Sequence, residues 1–127
     1  MSALKVLVAE DNDANRKLII ALLEKWGHVV ASVSNGNEAL AALEREPYDV
    51  VLMDIQMPEL DGMETTRRIR ERERAGGGHL PIIAMTAHAM KGDREKCLAA
   101  GMDEYVPKPV TLDRLHVLLE RLGTSRP

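Results

Sequence analysis

The stretch from residue 50 to residue 62 limits the possible folds more than any other part of the chain. It reads Val-Val-Leu-Met-Asp-Ile-Gln-Met-Pro-Glu-Leu-Asp-Gly, so four apolar residues run directly into Asp54. A continuous apolar run of this length is typical of a strand buried on both faces, as in a parallel sheet. Pro58 and Gly62 then end the strand. We therefore expect Asp54 at the carboxyl end of a central strand, where open α/β sheets bind ligands; an aspartate that caps the following turn is the alternative.

Strand and helix patterns alternate along the rest of the chain. Gly27 and Gly101 each follow a helical pattern, as expected for residues just past a helix end. The alternation predicts one α/β domain with a parallel sheet and helices on both faces, spanning residues 1–122, and a flexible tail at 123–127. The predicted strands are 4–9, 28–33, 50–53, 81–86 and 104–106, and the predicted helices are 14–26, 37–46, 63–74, 91–100 and a last one beginning after Thr111.

Charge and composition argue against several classes of function. The net charge is −3, and nucleic-acid-binding surfaces normally need a basic patch, so we expect no nucleic-acid partner. No apolar run approaches the roughly 18 residues of a membrane span, so we expect no direct membrane contact. Cys97 is the only cysteine, which fits a reducing compartment. These features favour a cytoplasmic location.

Polar residues that could take part in binding or catalysis lie at the ends of four of the predicted strands. Glu10 and Asp11 follow the first strand, Asp54 the third, Thr86 ends the fourth and Lys108 follows the fifth. The carboxyl ends of parallel strands meet at one edge of the sheet, so these residues should share a crevice. Three carboxylates and one ammonium leave two net negative charges there, which a hard divalent cation such as Mg²⁺ would balance. A phosphoryl group arriving on Asp54 fits such a site.

Four motifs together resemble the receiver domains of two-component signalling. They are Val-Ala-Glu-Asp-Asn at 8–12, Leu-Met-Asp-Ile-Gln-Met-Pro-Glu-Leu-Asp-Gly at 52–62, Ala-Met-Thr-Ala at 84–87 and Val-Pro-Lys-Pro at 106–109. The resemblance implies a doubly wound, flavodoxin-like (βα)5 sandwich with five parallel strands in the order 2-1-3-4-5. It also implies a switch module that promotes its own phosphorylation and dephosphorylation and is not an enzyme acting on other substrates.

The same resemblance assigns roles to individual residues. Asp54 would become an acyl phosphate, and Mg²⁺ would be bound by Asp11, Asp54 and the main-chain carbonyl of Gln56, with Glu10 helping. Thr86 would bond to the phosphoryl group, Lys108 would pair with it, and Tyr105 would turn inward as Thr86 moves. Many family members carry two aspartates where this chain has Glu10 and Asp11, so the contact of Glu10 with the metal is left open.

The segments at 85–93 and 97–105 resemble receivers of hybrid sensor histidine kinases. The resemblance implies that such receivers exchange phosphoryl groups with a histidine kinase or a histidine phosphotransfer domain. It also implies that the phosphotransfer domain docks near the first helix. On a helical wheel, a first apolar strip should face the sheet, formed by Ile19, Leu22, Leu23 and Trp26. A second apolar strip, formed by Ala14, Leu18 and Ala21, is rotated away from the first. Burial of Leu18 under the last helix is the alternative to a docking role. The predicted docking residues are Ala14, Asn15 and Leu18.

Two other functions occur on the same kind of fold. A phosphatase that forms an aspartyl phosphate commonly needs a second acid two residues after the nucleophile, and Gln56 cannot serve as one. A flavodoxin-like cofactor binder needs a phosphate-binding loop after the first strand and aromatic rings around the flavin. Glu10 and Asp11 would repel phosphate, and aromatic residues make up only 2% of the chain. Both functions are therefore disfavoured.

Overall fold

The structure is a computed structural model, and it describes residues 4–55, 57, 60–86, 92–107 and 112–124. Five strands alternate with five helices along these residues. The strands are β1 (Lys5–Ala9), β2 (Val29–Val33), β3 (Val50–Asp54), β4 (Ile82–Thr86) and β5 (Glu104–Pro107). The helices are α1 (Asp13–Lys25), α2 (Gly36–Arg45), α3 (Gly62–Gly76), α4 (Asp93–Ala100) and α5 (Leu112–Thr124).

The five strands form one parallel sheet in the order β2-β1-β3-β4-β5. This order confirms the doubly wound fold predicted from the sequence. Strands β3 and β4 are buried along their whole length, which explains why their sequences are apolar without alternation. The parallel register brings the carboxyl ends of β1, β3 and β4 to one edge of the sheet.

Two hydrophobic clusters cover the two faces of the sheet. Alternate residues of β1 point to opposite faces: Val6 and Val8 enter one cluster, and Leu7 and Ala9 enter the other. Helices α1 and α5 pack on the first face, and α2, α3 and α4 contribute to the second. Leu, Val, Ile, Ala and Met fill nearly all of both clusters, as the scarcity of aromatic residues requires.

Polar side chains fix the beginnings of three helices. Asn12, Asn35 and Asp61 each accept a hydrogen bond from a main-chain N–H of the following first turn, at 2.9, 2.8 and 2.8 Å. These bonds satisfy donors that a helix leaves unpaired at its start. The first of these helices, α1, therefore begins right after the acids that follow β1.

The element bounds differ from those predicted by one to a few residues. Asp54 itself is the last residue of β3, and α3 continues to Gly76 before Gly77, at φ 86°, ends it. Helix α5 runs to Thr124, so helical backbone extends into the segment predicted as a tail, and a domain boundary after residue 122 stays a prediction. Among the described residues, no helix is long and apolar enough to span a lipid bilayer.

Candidate functional site

Asp54 and Thr86 lie side by side at the carboxyl edge of the sheet. Asp54 is the last residue of β3 and is 3% exposed, and Thr86 is the last residue of β4 and is also buried. The register pairs Asp54 with Met85, and the N–H of Ile55 donates to the Met85 carbonyl at 3.2 Å. The ends of these two strands are therefore held together by main-chain bonds, and the polar side chains are placed with them.

The end of β1 brings two more acids to this edge. Glu10 is fully buried and Asp11 is exposed. One carboxylate oxygen from each of Glu10, Asp11 and Asp54 lies within 4.8 Å of the others. Glu10 and Asp11 are adjacent in sequence, and Asp54 lies 44 and 43 residues after them. The structure thus brings the three residues together, as predicted from their positions at the ends of parallel strands.

The three oxygens fit a small divalent cation. Ligands on opposite sides of an octahedral Mg²⁺ lie about 4.2 Å apart, since each Mg–O distance is roughly 2.1 Å. The separation of at most 4.8 Å between the carboxylate oxygens is close to this span, so small side-chain movements would complete the contacts. Carboxylate oxygens are also the ligand type that Mg²⁺ prefers. The cluster can therefore hold a hard divalent cation.

Glu10 is fixed by its surroundings although its side chain is one methylene longer than that of aspartate. Its Oε1 accepts a hydrogen bond from Nδ2 of Asn15 at 3.3 Å. Its main-chain N–H donates to the Val33 carbonyl at 3.1 Å, which ties the end of β1 to the end of β2. The longer side chain is therefore turned inward, and its carboxylate still belongs to the acid cluster.

Gly62 permits the loop after β3 to return to the site. A Cβ atom at this position would lie 2.4 Å from the carbonyl oxygen of Asp54 and 2.8 Å from Cα of Ile55, which no real side chain tolerates. The N–H of Gly62 donates to the Ile55 carbonyl at 3.2 Å. The sequence marked Gly62 as a breaking point, but its close approach to the backbone of Asp54 becomes evident only in the structure.

The remaining predicted site residues fall into two groups. Tyr105, in β5, is half-buried against the second cluster, and the guanidinium carbon of Arg114 lies 5.7 Å from the centre of its ring. Gln56 and Lys108 lie outside the described residues, so their placement at the site stays a prediction.

A family comparison decides the class of protein. The model of the response regulator receiver domain matches residues 6–120. The chain belongs to the response regulator receiver family. This confirms the resemblance that the four motifs indicated, and it makes the chain a receiver module of two-component signalling.

Individual relatives show what kind of receiver this chain resembles. Hybrid signal transduction histidine kinase I of Dictyostelium discoideum is 51% identical over 120 residues, covering 91% of this chain but 7% of the relative. The receiver domain of a sensor histidine kinase from Pseudomonas aeruginosa PAO1, with a magnesium ion coordinated in its active site cleft, has a TM-score of 0.86 and 43% identity. The similarity covers 96% of this chain and 99% of the Pseudomonas receiver. The receivers of hybrid kinases are thus the kind that this chain resembles.

A third similar structure comes from Saccharomyces cerevisiae. It is a co-crystal structure of a histidine phosphotransfer signaling protein and the receiver domain of its downstream response regulator. The similarity has a TM-score of 0.85 and 29% identity, and covers 95% of this chain and 87% of the other. This receiver fold therefore occurs in a phosphorelay complex.

The receiver's first helix has an exposed apolar strip beside the acids. Of the residues that the helical wheel placed toward the sheet, Ile19 and Leu23 are buried in the core and Trp26 packs against it. Leu22 is half-buried and is not part of the core cluster, whereas Leu18 is 51% exposed. Ala14 is exposed and Asn15 is half-buried. Burial of Leu18 under α5, the alternative considered from the sequence, is wrong because α1 turns this side chain toward solvent.

Arg16 is the residue near the receiver's acids that the sequence analysis missed. Its guanidinium donates from Nη1 to the Glu10 carbonyl at 2.9 Å and pairs through Nη2 with the carboxylate of Asp13. A cation in the first turn of a helix opposes the positive end of the helix dipole, so its presence calls for a specific partner. That unfavourable position was the available signal.

Proposed function

We propose that Asp54 of this receiver accepts a phosphoryl group from a phosphohistidine donor. The observation that supports it is the acid cluster itself, in which oxygens of Glu10, Asp11 and Asp54 lie within 4.8 Å of one another at the carboxyl edge of the sheet. Glu10 is fully buried and Asp54 nearly so, and like charges at such distances are costly unless a cation joins them. Such a cluster is suited to a cation and a phosphoryl group arriving together.

Mg²⁺ is the proposed cofactor, held by Asp11, Asp54 and the main-chain carbonyl of Gln56, with Glu10 beside it. When bound, Mg²⁺ supplies positive charge that offsets the carboxylates and the oxygens of the phosphoryl group. Glu10 is anchored by Asn15 and by the end of β2, so it contributes its charge from a fixed position. Asp11 is exposed, so its carboxylate is accessible to a cation that arrives from solvent.

The transfer step forms one bond and breaks one. A carboxylate oxygen of Asp54 attacks phosphorus in line with the phosphorus–nitrogen bond of the donor. As the new oxygen–phosphorus bond forms, the electron pair of the old bond returns to the imidazole nitrogen. In this proposal Thr86 donates a hydrogen bond to the transferred group, Lys108 pairs with it, and Tyr105 turns inward when Thr86 moves. The same groups would promote hydrolysis of the acyl phosphate by water.

The donor is proposed to be a histidine kinase or a histidine phosphotransfer domain that docks on α1. The exposed strip of Ala14 and Leu18, with Asn15 next to Glu10, supplies an apolar contact beside the reacting carboxylate. The chain spans 7% of the length of its Dictyostelium relative, a hybrid signal transduction histidine kinase in which a receiver is one part of a longer protein. We propose that this receiver likewise takes part in a larger cytoplasmic signalling system.

Acetyl phosphate tests the proposed site without any protein donor. The protein is incubated with acetyl phosphate and Mg²⁺, and its intact mass is measured. One added phosphoryl group is expected on the wild type and none on Asp54→Asn, because the amide cannot attack phosphorus. Asp61→Asn is the matched control, since Asp61 is an exposed acid whose helix-capping role asparagine can keep.

Two outcomes would contradict this assignment. Labelling of Asp54→Asn at the wild-type level would place the phosphoryl group on another residue. Undiminished labelling of the wild type when Mg²⁺ is removed with a chelator would show that the acid cluster does not work through a cation.

A further inference from the structure

Arg16 joins three segments at the acid cluster. Its side chain, on the first turns of α1, is only 19% exposed. From Nη1 it donates to the main-chain carbonyl of Glu10 at 2.9 Å and to Oγ of Ser34 at 3.4 Å, and from Nη2 it pairs with Asp13. One guanidinium therefore connects α1, the end of β1 and the loop after β2.

The bond to the Glu10 carbonyl also fixes the start of Asp11. A peptide unit is planar, so the carbonyl of Glu10 and the N–H of Asp11 lie in one rigid plane. The N–H of Glu10 is already held by the Val33 carbonyl at 3.1 Å, and its carboxylate by Asn15 at 3.3 Å. Arg16 holds the third group of Glu10, its main-chain carbonyl, which belongs to the peptide that leads into Asp11. The direction in which the exposed Asp11 side chain leaves the backbone is set by this peptide.

We propose that Arg16 is a positioning residue for the receiver's cation site. It holds the peptide between Glu10 and Asp11 so that both carboxylates already face Asp54 when the cation arrives. This inference rests on the proposed function, because it concerns the same acids. Arg16 does not contact the cation; it acts through the main chain, much as groups behind metal ligands orient those ligands.

The sign of the effect separates positioning from simple electrostatics. Arg16 carries a positive charge near three acids, so its charge alone repels a cation. If charge were its only influence, removing Arg16 would tighten cation binding. Positioning predicts the opposite, because loss of an orienting group behind a metal ligand typically weakens metal binding about 10- to 100-fold.

The test measures Mg²⁺ binding directly by titration calorimetry in three variants. Arg16→Met removes the guanidinium and keeps an unbranched stem, and we expect binding about tenfold weaker than in the wild type. Arg16→Lys keeps the charge, but its ammonium cannot bond to the Glu10 carbonyl and to Asp13 at once as the planar guanidinium does. Its Mg²⁺ affinity should therefore lie between those of the wild type and Arg16→Met. Lys17→Met removes the same charge from the next, exposed position of α1 and should change binding less than about twofold.

Amide hydrogen exchange supplies a readout that needs no metal. In the metal-free protein, the N–H of Glu10, which donates to the Val33 carbonyl at 3.1 Å, should exchange faster in Arg16→Met than in the wild type, whereas the N–H of Leu7 in β1 should be unchanged. Circular dichroism checks that each variant is folded. If Arg16→Met does not fold, Arg16→Lys decides the question, with weaker binding in a folded protein supporting the proposal.

Three results would overturn it. Binding by Arg16→Met or a folded Arg16→Lys as tight as in the wild type, or tighter, would leave Arg16 with a charge effect alone. Equal weakening in Lys17→Met would also remove the positioning role. In either case, wild-type labelling at Asp54 would leave the proposed function standing, whereas a wild type that binds no Mg²⁺ would end both proposals.

Discussion

The two edges of the sheet carry similar residues in opposite arrangements. At the carboxyl edge, Glu10, Asp11 and Asp54 bring their carboxylates within 4.8 Å of one another. At the amino edge, before β4 and β5, Glu73 and Asp103 are also close together, but both are bonded to Arg70 at 2.7 and 2.8 Å. At the carboxyl edge the three acids face one another, and at the amino edge Glu73 and Asp103 share the guanidinium of Arg70.

Arg70 makes the amino edge a structural clamp. It also donates to the carbonyls of Gly101 and Leu80, both at 2.8 Å. Glu73 and Asp103 in turn accept main-chain N–H bonds from residues 80 and 82, at 2.6 and 2.8 Å. Each acid there is matched by donors of the protein, so its charge serves the connection of α3 to the loops before β4 and β5. The carboxyl edge instead concentrates negative charge, which is useful to a site that binds a cation.

The largest expected effect concerns access of a partner to the carboxyl edge. Leu18→Glu should slow phosphotransfer from the protein donor about a hundredfold, because an apolar contact at the centre of an interface is replaced by a charge. Labelling by acetyl phosphate should stay within about twofold of the wild type, since Leu18 is not part of the acid cluster. Both rates are measured on the same preparations by intact mass or radiolabel.

Val29→Glu is the matched control for this change. Val29 begins β2 at the amino edge and is 61% exposed, so the same charge is introduced at a similarly exposed apolar residue far from the acids. It should leave both rates nearly unchanged. If Leu18→Glu slows both reactions equally, or circular dichroism shows that it unfolds, the docking role of α1 fails.

The next effect compares the same substitution at the two edges. Asp103→Asn should lower the free energy of unfolding by about 2 kcal/mol, because Arg70 and Ile82 both donate to Oδ2 of Asp103 and asparagine leaves them at best an uncharged acceptor. Asp11→Asn should raise it by about 0.5 kcal/mol in Mg²⁺-free buffer, because a like charge is removed from the acid cluster. Urea unfolding measures both, and shifts of the same sign would mean that the two edges do not differ as described.

The sequence was sufficient for the fold and for the acids of the site. The unbroken apolar runs of β3 and β4 indicated a buried parallel sheet, and the family resemblance implied the strand order that sets β1 beside β3. Together they place Asp54 next to Glu10 and Asp11. The sequence could not show the network of Arg70, whose partners lie 3 to 33 residues away and include main-chain carbonyls. Bonds to main-chain atoms leave no trace in the type of the accepting residue. The unfavourable position of Arg16 in the first turn of α1 indicated that it has a partner, but the sequence could not show that the partner is the Glu10 carbonyl.

A smaller effect than that of Asp103→Asn is expected in the pH dependence of stability at the amino edge. His28 is buried before β2, and its Nδ1 accepts a hydrogen bond from the N–H of Leu4 at 3.0 Å. Burial, and secondly the nearby imidazole of His116, hold the pKa of His28 below its ordinary value of 6.5. The folded protein therefore keeps His28 neutral where the unfolded chain already binds a proton.

The sign follows from that difference in pKa. The stabilising contribution of His28 is fully present above pH 6.5, and it is lost as the pH falls from 6.5 through the lower pKa of the folded state. Protonation of Nδ1 also ends its role as acceptor for Leu4, so the loss should reach about 1 kcal/mol. Urea unfolding of the wild type and of His28→Gln at pH 8 and pH 5.5 gives this contribution as a difference. Titrating groups that do not interact with His28 cancel in that difference, and a value independent of pH would show that His28 is not held neutral by the fold.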